Sequence, residues 1–415
     1  MSPQRTAVIG GGAAGLTAAI TAAEQGDSVI LFERMDRIGK KLLATGNGRC
    51  NLLNTTPRPY FGQGDFARRV FFLMGPDKQI TFWHRHGLRV WEEEDGRVYP
   101  ATFQAATVLD VLRFHLERLR VEVLTGAAAD GLRRSDQGWH LSLAGQGELG
   151  PFDRVIVTGG GKAQPKLGSD GSAYGLLLAQ GHRLRTPKPA LTALETDRQA
   201  IRGLSGLRVK ANVTLMHGTR RGAKADGEVL FTDYGLSGIC VMDCARDALP
   251  GNTLTLNLSA PLGYHARSEV LGELQRRRNI WRGEPASRIL CGLVTPRLGE
   301  RLAETAGVPL AGRRAEQLSK DELDALCGAL QSWPLQITGK RGFDQAQVTA
   351  GGIDTDDFSP ITLESTLAPG LHAAGEVLNV DGPCGGYNLM FAFGSGMLAG
   401  LNGRQALGRN QPSGK

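Results

Sequence analysis

Residues 6–33 read TAVIGGGAAGLTAAITAAEQGDSVILFE. TAVIG is a short apolar run that predicts a strand, and the Ala-rich stretch ending at Gly26 predicts a helix. SVILFE predicts a second strand that ends on Glu33. Between the first strand and the helix, Gly10, Gly12 and Gly15 form GxGxxG, with Ala13 and Ala14 at two of its variable positions. The first glycine permits a tight turn, the second lets backbone approach a pyrophosphate, and the third lets the helix pack on the strand. The helix N-terminus offers free N–H groups and the positive end of its dipole to phosphates. Glu33, 18 residues past Gly15, is placed to accept a hydrogen bond from a ribose hydroxyl. Strand, helix and acid around one motif predict dinucleotide binding by a Rossmann-like α/β domain. The alternative is a glycine-rich turn in another kind of α/β protein.

The far end of the chain decides which dinucleotide. Residues 370–400 read GLHAAGEVLNVDGPCGGYNLMFAFGSGMLAG. LHAAG predicts a strand, Gly375 and Glu376 an acid–glycine pair at its end, Gly385 and Gly386 a turn, and Tyr387 the start of a long apolar helix. Such a pair suits the ribityl–pyrophosphate linkage of FAD. The helix that follows would aim its N-terminus at the flavin, favouring negative charge on a reduced ring. The alternative for Glu376 is an acid near a helix cap. RVIVTGGG, 154–161, supplies a third glycine turn after a strand, through Thr158, Gly159 and Gly160. Three such turns, far apart in sequence, favour FAD held by a split domain. Arg34, Lys41, Tyr387 and Asn388 join the cofactor-binding candidates.

A loop follows Glu33. PDKQITFWHRHG then predicts a helix, LRVWEEEDGRVYP a hairpin turning at Asp95 and Gly96, and QAATVLDVLRFHLERLR a helix with Val108, Leu112 and Leu116 on one face. Residues 206–216 and 253–259 alternate strictly, the mark of an antiparallel sheet or barrel. From His265 to Leu330 the pattern turns helical and Arg-rich, and Ser319 with Glu322 forms a capping box. The expected organisation is an FAD-binding domain in two segments, 1–187 and 346–415. Inserted between them are a β-barrel-like segment (188–262), a helical segment (263–332) and a strand returning to the barrel (333–345).

The six cysteines include no CxxC pair, so structural zinc and a redox dithiol are both poor readings, no metal is expected, and a reducing cytoplasm is the expected setting. No uncharged run is long and apolar enough to span a bilayer, and three glycines interrupt the signal-like start. The formal charge of +7 allows an anionic partner. Arg37, Lys40, Lys41, Arg49, Arg58, Arg68 and Arg69 cluster against Asp65, and Arg276, Arg277, Arg278 and Arg282 surround Trp281. Either cluster is a solvated surface or a phosphate-binding one. The oligomeric state is not legible.

TGNGRCN, 45–51, places two glycines where backbone would approach a cofactor: Gly46 and Gly48, with Asn47 and Asn51 able to bond a flavin edge and Arg49 able to fork onto phosphate or carboxylate. Cys50 has no partner cysteine nearby, which disfavours a dithiol shuttle.

KKLLATGNGRCN, GEVLFTDYGLSG, VTAGGI and AGEVLNVDGPCGGYN, together with GGGAAGL, resemble the BaiN/RdsA family of FAD-dependent oxidoreductases nearly end to end. The resemblance implies a Rossmann-like FAD domain, an inserted β-barrel-like domain and a small helical insert. It implies either reduction of a uridine of 23S ribosomal RNA to dihydrouridine or reduction of a bile-acid-like enone. Hydride addition to one carbon of a uracil double bond demands a proton on its neighbour. Cys50 is then either a packed thiol or that proton donor. With no second GxGxxG, NAD(P)H is a transient reductant, or another protein reduces the flavin. If the substrate is ribosomal RNA or its precursor, the basic clusters would engage phosphates. A flavin-stabilised RNA-binding protein without turnover is the reading from another class.

Overall fold

Five parallel strands stand side by side in the order Leu371–Ala373, Arg154–Val157, Arg5–Ile9, Ser28–Glu33, Glu122–Thr125. The computed structural model describes residues 3–404. They fall into two compact units, one running to Pro189 and resuming at Ala346, the other Ala190–Gln345.

In the first unit the parallel sheet is the organising element. Its inner strands carry unbroken apolar runs because both faces are covered. Opening and closing helices, Ala13–Glu24 and Tyr387–Leu401, pack against each other at glycines. A Cβ at Gly396 would lie 2.2 Å from the Ala14 carbonyl oxygen, and one at Gly400 would lie 2.6 Å from that of Ala18. Rising positions on one helix meet rising positions on the other, so the two helices run parallel. Arg154, 1% exposed, locks the arrangement from below: it pairs with Asp27 at 2.7 Å and donates to the Ala399 and Gly400 carbonyls, each at 2.8 Å.

The helix Ala105–Arg118 buries Val108, Leu112 and Leu116 as its period requires, and the hairpin Val90–Glu92/Arg97–Pro100 forms where the Asp95–Gly96 turn predicts it. Leu53–Asn54 adds a third strand to that hairpin. Two elements were not legible. The helix Gly64–Met74 lies in what reads as loop: it buries Phe66, Ala67 and Val70 and leaves Phe72 86% exposed, but no capping side chain marks its start after Gln63. The strand Gly147–Phe152, GELGPF, holds two glycines and a proline and buries only Phe152, so it shows no alternation.

The second unit is built on a closed antiparallel barrel of six strands: Leu194–Thr196, Gly235–Ser237, Arg220–Phe231, Arg208–His217, Thr253–Asn257 and Trp333–Lys340, the last pairing back to the first. The alternating stretches put Ala211, Val213, Leu215, Leu254 and Leu256 inside. Helices Arg267–Ile280, Pro296–Thr305 and Lys320–Gln331 share its core through Leu274, Leu302 and Leu326. Ser319 and Glu322 form the capping box, the Ser319 hydroxyl accepting from the Glu322 N–H at 3.1 Å and the Glu322 carboxylate from the Ser319 N–H at 2.7 Å.

Candidate functional site

Four neighbouring strands of the parallel sheet end at Ile9, Glu33, Val157 and Ala373 and lead into Gly10, Thr158 and Gly375, so residues from three remote segments meet along one edge. In open α/β sheets this carboxyl edge is where ligands bind. Gly10 has φ of 108°, and a Cβ there would lie 2.7 Å from the Thr158 carbonyl oxygen. A Cβ on Gly15 would lie 1.8 Å from the Gly10 carbonyl oxygen. Gly12 differs: a Cβ there meets nothing within 4 Å, and no side chain or first-turn acid caps the opening helix that Ala13 and Ala14 begin. Its first N–H groups have no intrahelical partner.

Glu33, 8% exposed, is oriented by two backbone donors at 2.7 Å, Gly11 N–H to one oxygen and Met35 N–H to the other. Arg34 pairs with Asp170 and donates to Ser172 Oγ at 3.2 Å. The Thr158 hydroxyl donates to the Ile9 and Gly10 carbonyls, Gly159 lies where a Cβ would strike Ala173, and Gly160 takes a φ of 76°. Next to this turn, Ser169 Oγ and Tyr174 OH are buried without a hydrogen-bond partner.

Glu376 gathers the middle of the edge. One oxygen accepts from Lys41 Nζ at 2.6 Å, the other from the Thr349 N–H at 2.8 Å. Thr349 Oγ1 accepts in turn from the Lys162 and Ala163 N–H groups. Gly375, with φ of 77°, donates its N–H to Ser395 Oγ on the closing helix.

The closing helix also begins uncapped and without a first-turn acid, after Gly385 and Gly386 with φ of 116° and 99°. Tyr387 OH donates to the Thr56 carbonyl at 2.7 Å. The Asn388 amide is engaged by Gly382 in both directions at 2.8 Å. Asn51 Oδ1, buried and unpartnered, lies 2.6 Å from where a Gly386 Cβ would be, and Asn54 Nδ2 donates to the Gly385 carbonyl at 2.9 Å. The 45–51 loop therefore runs directly into this turn. Gly46, Asn47, Gly48 and Cys50 all have positive φ. Gly46, Asn47, Gly48 and Arg49 are exposed, whereas Cys50 is 0% exposed, and burial pushes its thiol up to about 12 despite a hydrogen bond with Thr45.

The basic clusters look different once folded. Lys40, Lys41, Arg49 and Arg68 pair with Asp36, Glu376, Glu93 and Asp65. In the second unit Arg276 and Arg277 share Glu273, whose carboxyl those hydrogen bonds hold down at about 2. Arg277 also lies over Trp281, Arg278 donates to the Leu318 carbonyl, and Arg282 is exposed. Sequence reasoning had no role for Thr349, Ser169 or Tyr174; VTAGGI was the one block that pointed near Thr349. Among the described residues no three His, Cys, Asp or Glu side chains gather as metal ligands, and no helix is long and apolar enough to cross a membrane.

A protein-family model described as HI0933-like protein Rossmann domain matches residues 4–402. The chain belongs to this HI0933-like family, a family of flavin-dependent oxidoreductases. It is 37% identical over 405 residues to the 3-dehydro-bile acid delta(4,6)-reductase of Clostridium scindens, covering 95% of this chain and 98% of that one. It is 28% identical over 400 residues to the ribosomal RNA dihydrouridine synthase of Escherichia coli, covering 94% and 95%. Among solved structures, 3-ketosteroid-delta4-(5alpha)-dehydrogenase from Rhodococcus jostii RHA1 superposes with a TM-score of 0.48 at 16% identity, covering 98% of this chain and 96% of that one.

Proposed function

We propose that this protein is an FAD-dependent reductase of a carbon–carbon double bond conjugated to a carbonyl. The observation that carries the reading is the pair of parallel, uncapped helices. Gly396 is level with Ala14 near the start of the opening helix, and Tyr387 begins the closing helix nine residues earlier. At 1.5 Å per residue, the second N-terminus stands about 13 Å beyond the first in the same direction. One end would take a pyrophosphate and the other the ring system of the same extended cofactor.

The residues fit FAD. The open space before Gly12 receives phosphate oxygens on the first-turn N–H groups. Glu33 keeps lone pairs for a ribose hydroxyl, and Ser169 and Tyr174 have unused hydroxyls nearby. Glu376 and Lys41 hold the linkage between the two ends, and Asn51 offers its free amide oxygen at the closing-helix turn. FAD bound by these residues and reduced would supply the hydride for the β-carbon of the conjugated system, and solvent water would supply the proton for the α-carbon. The closing helix stabilises negative charge at its N-terminus. Gly46 and Asn47 form the loop wall, and we assign Cys50 a packing role, since its enclosed thiol has no open face toward a substrate. NAD(P)H is the proposed electron donor.

For the substrate we propose a uridine of ribosomal RNA. The net charge of +7 and the dihydrouridine synthase relative support it. The second reading, a ring enone of the bile-acid type, is favoured by the 37% identical relative. Both are enone-like reductions, so one catalytic layout serves either. Mass analysis of ribosomal RNA from a deletion strain tests the first: loss of a dihydrouridine is expected, and unchanged content rejects the uridine assignment. Turnover of a 3-oxo-4-ene bile acid by the purified, NAD(P)H-reduced protein tests the second.

A further inference from the structure

Arg49 sits two residues from Asn51, whose free Oδ1 lies against Gly386. Two residues span at most about 7 Å, so the arginine is rooted beside the closing-helix turn. Its position is built. Its Cζ lies 4.6 Å from the Tyr99 ring centroid and 4.7 Å from that of Phe103, and the two rings pack on each other at 5.5 Å. Glu93 takes one terminal N–H at 3.3 Å and is its only side-chain hydrogen-bond partner among the described residues. The side chain is still 45% exposed, so most of the guanidinium's five donors remain open.

The backbone around it is strained in a way a surface ion pair does not require. Asn47, Cys50 and Phe103 have φ of 55°, 56° and 53°. Side-chain-bearing residues adopt that region at a cost, and such strain persists where the surrounding structure fixes it, commonly at binding sites. Two of the three flank Arg49 in its loop, and the third is part of its aromatic plate.

Resting on the reductase reading above, we propose that Arg49 is the oxyanion anchor for the substrate, a positioning residue whose open edge takes a carboxylate or phosphate oxygen and thereby seats the double bond near the closing-helix turn. A planar fork seated over aromatic rings is suited to that role, and a loose, half-exposed partner such as Glu93 is readily displaced. Both proposed substrates carry the required group: a bile acid its carboxylate, a uridine in RNA its flanking phosphodiesters.

The test uses FAD-loaded full-length protein with Arg49→Ala and Arg49→Lys, and, as a control, Arg133→Ala at an exposed arginine that pairs with Glu148 outside both basic clusters. Binding is read from the perturbation of the flavin absorbance, and kcat and KM are measured in parallel. The probes come in two pairs: a 3-oxo-4-ene bile acid and its methyl ester, and a short uridine-containing single-stranded oligoribonucleotide and its uncharged methylphosphonate version. Arg49→Ala is expected to weaken the charged member of at least one pair about ten- to hundred-fold, chiefly in KM, with its uncharged partner and the FAD content unchanged. Arg49→Lys falls between, since it keeps the charge without the fork, and Arg133→Ala has no effect. An effect confined to the acid identifies a carboxylate; one confined to RNA identifies phosphate. Equal weakening of charged and uncharged probes, or none, overturns the anchor. Should Arg49→Ala lose FAD, Arg49→Lys carries the same comparison. FAD-loaded wild type that binds none of the four probes overturns the anchor and the proposed substrates together, while the flavin reading stands.

Discussion

Lys41 Nζ lies 2.6 Å from Glu376 Oε2, joining residues 335 positions apart. The pair is a part-buried one, with side chains 23% and 21% exposed, and Glu376 also holds the Thr349 N–H. Lys41→Met leaves the carboxylate with only that backbone donor. We expect FAD to bind about tenfold more weakly, from the loss of a charge-assisted bond, with a modest fall in melting temperature. Flavin released on dilution, followed by fluorescence, measures it.

Gly12 and Gly396 separate fold from cofactor. Gly12 has φ of −89° and open space in front, so Gly12→Ala should fold and melt like wild type yet lose most bound FAD. Gly396→Ala forces a methyl to within 2.2 Å of the Ala14 carbonyl oxygen. It should cost about 1–3 kcal/mol or more and lower the melting temperature by several degrees. Calorimetry with and without added FAD distinguishes the two outcomes.

Cys50 is enclosed, whereas Cys291 is exposed. In native protein an aromatic disulfide reagent should modify Cys291 quickly and leave Cys50 untouched until denaturant is added. Cys50→Ala should keep kcat within about twofold and leave the pH profile unshifted, with a stability loss of order 1 kcal/mol. A large fall in kcat would restore Cys50 as an acid.

Arg154 and Asp27 form an almost fully buried pair at 2.7 Å. Asp27→Asn removes the countercharge and leaves the guanidinium buried against a neutral amide, Thr6 and two carbonyls. A loss of about 3–5 kcal/mol is expected, read by urea unfolding. Replacing both residues by apolar ones should be milder than replacing either alone.

His372 is 1% exposed, and burial, with Arg154 nearby, lowers its pKa from 6.5 to about 4. The native state keeps the ring neutral while the unfolded chain takes up a proton below pH 6.5. Stability from this group is therefore present above that pH and is lost as pH falls toward 4, by on the order of 2–3 kcal/mol. His372→Asn should flatten the wild-type decline across that window, whatever it does to stability at neutral pH. Parallel denaturation curves at several pH values measure the difference.

Much of the fold was legible because its signals are local. GxGxxG between strand and helix, the alternation of 206–216 and the Ser319–Glu322 cap each fix conformation through near neighbours. The helix Gly64–Met74 was not, because no capping side chain marks where it begins. At the site, glycines and acids at strand ends could be named one by one. Their pairings could not: Lys41 with Glu376, Asn54 with Gly385, and Arg49 on Tyr99 and Phe103 are products of topology. Counting charges along the chain likewise missed the counterions that folding brings to the basic clusters.

The barrel's first strand and its last lie edge to edge, Leu194 opposite Lys340. Entry and exit of the 190–345 segment are thus close together. A segment anchored that way is an exchangeable cassette. Evolution could replace it wholesale without redrawing the parallel sheet of the other unit.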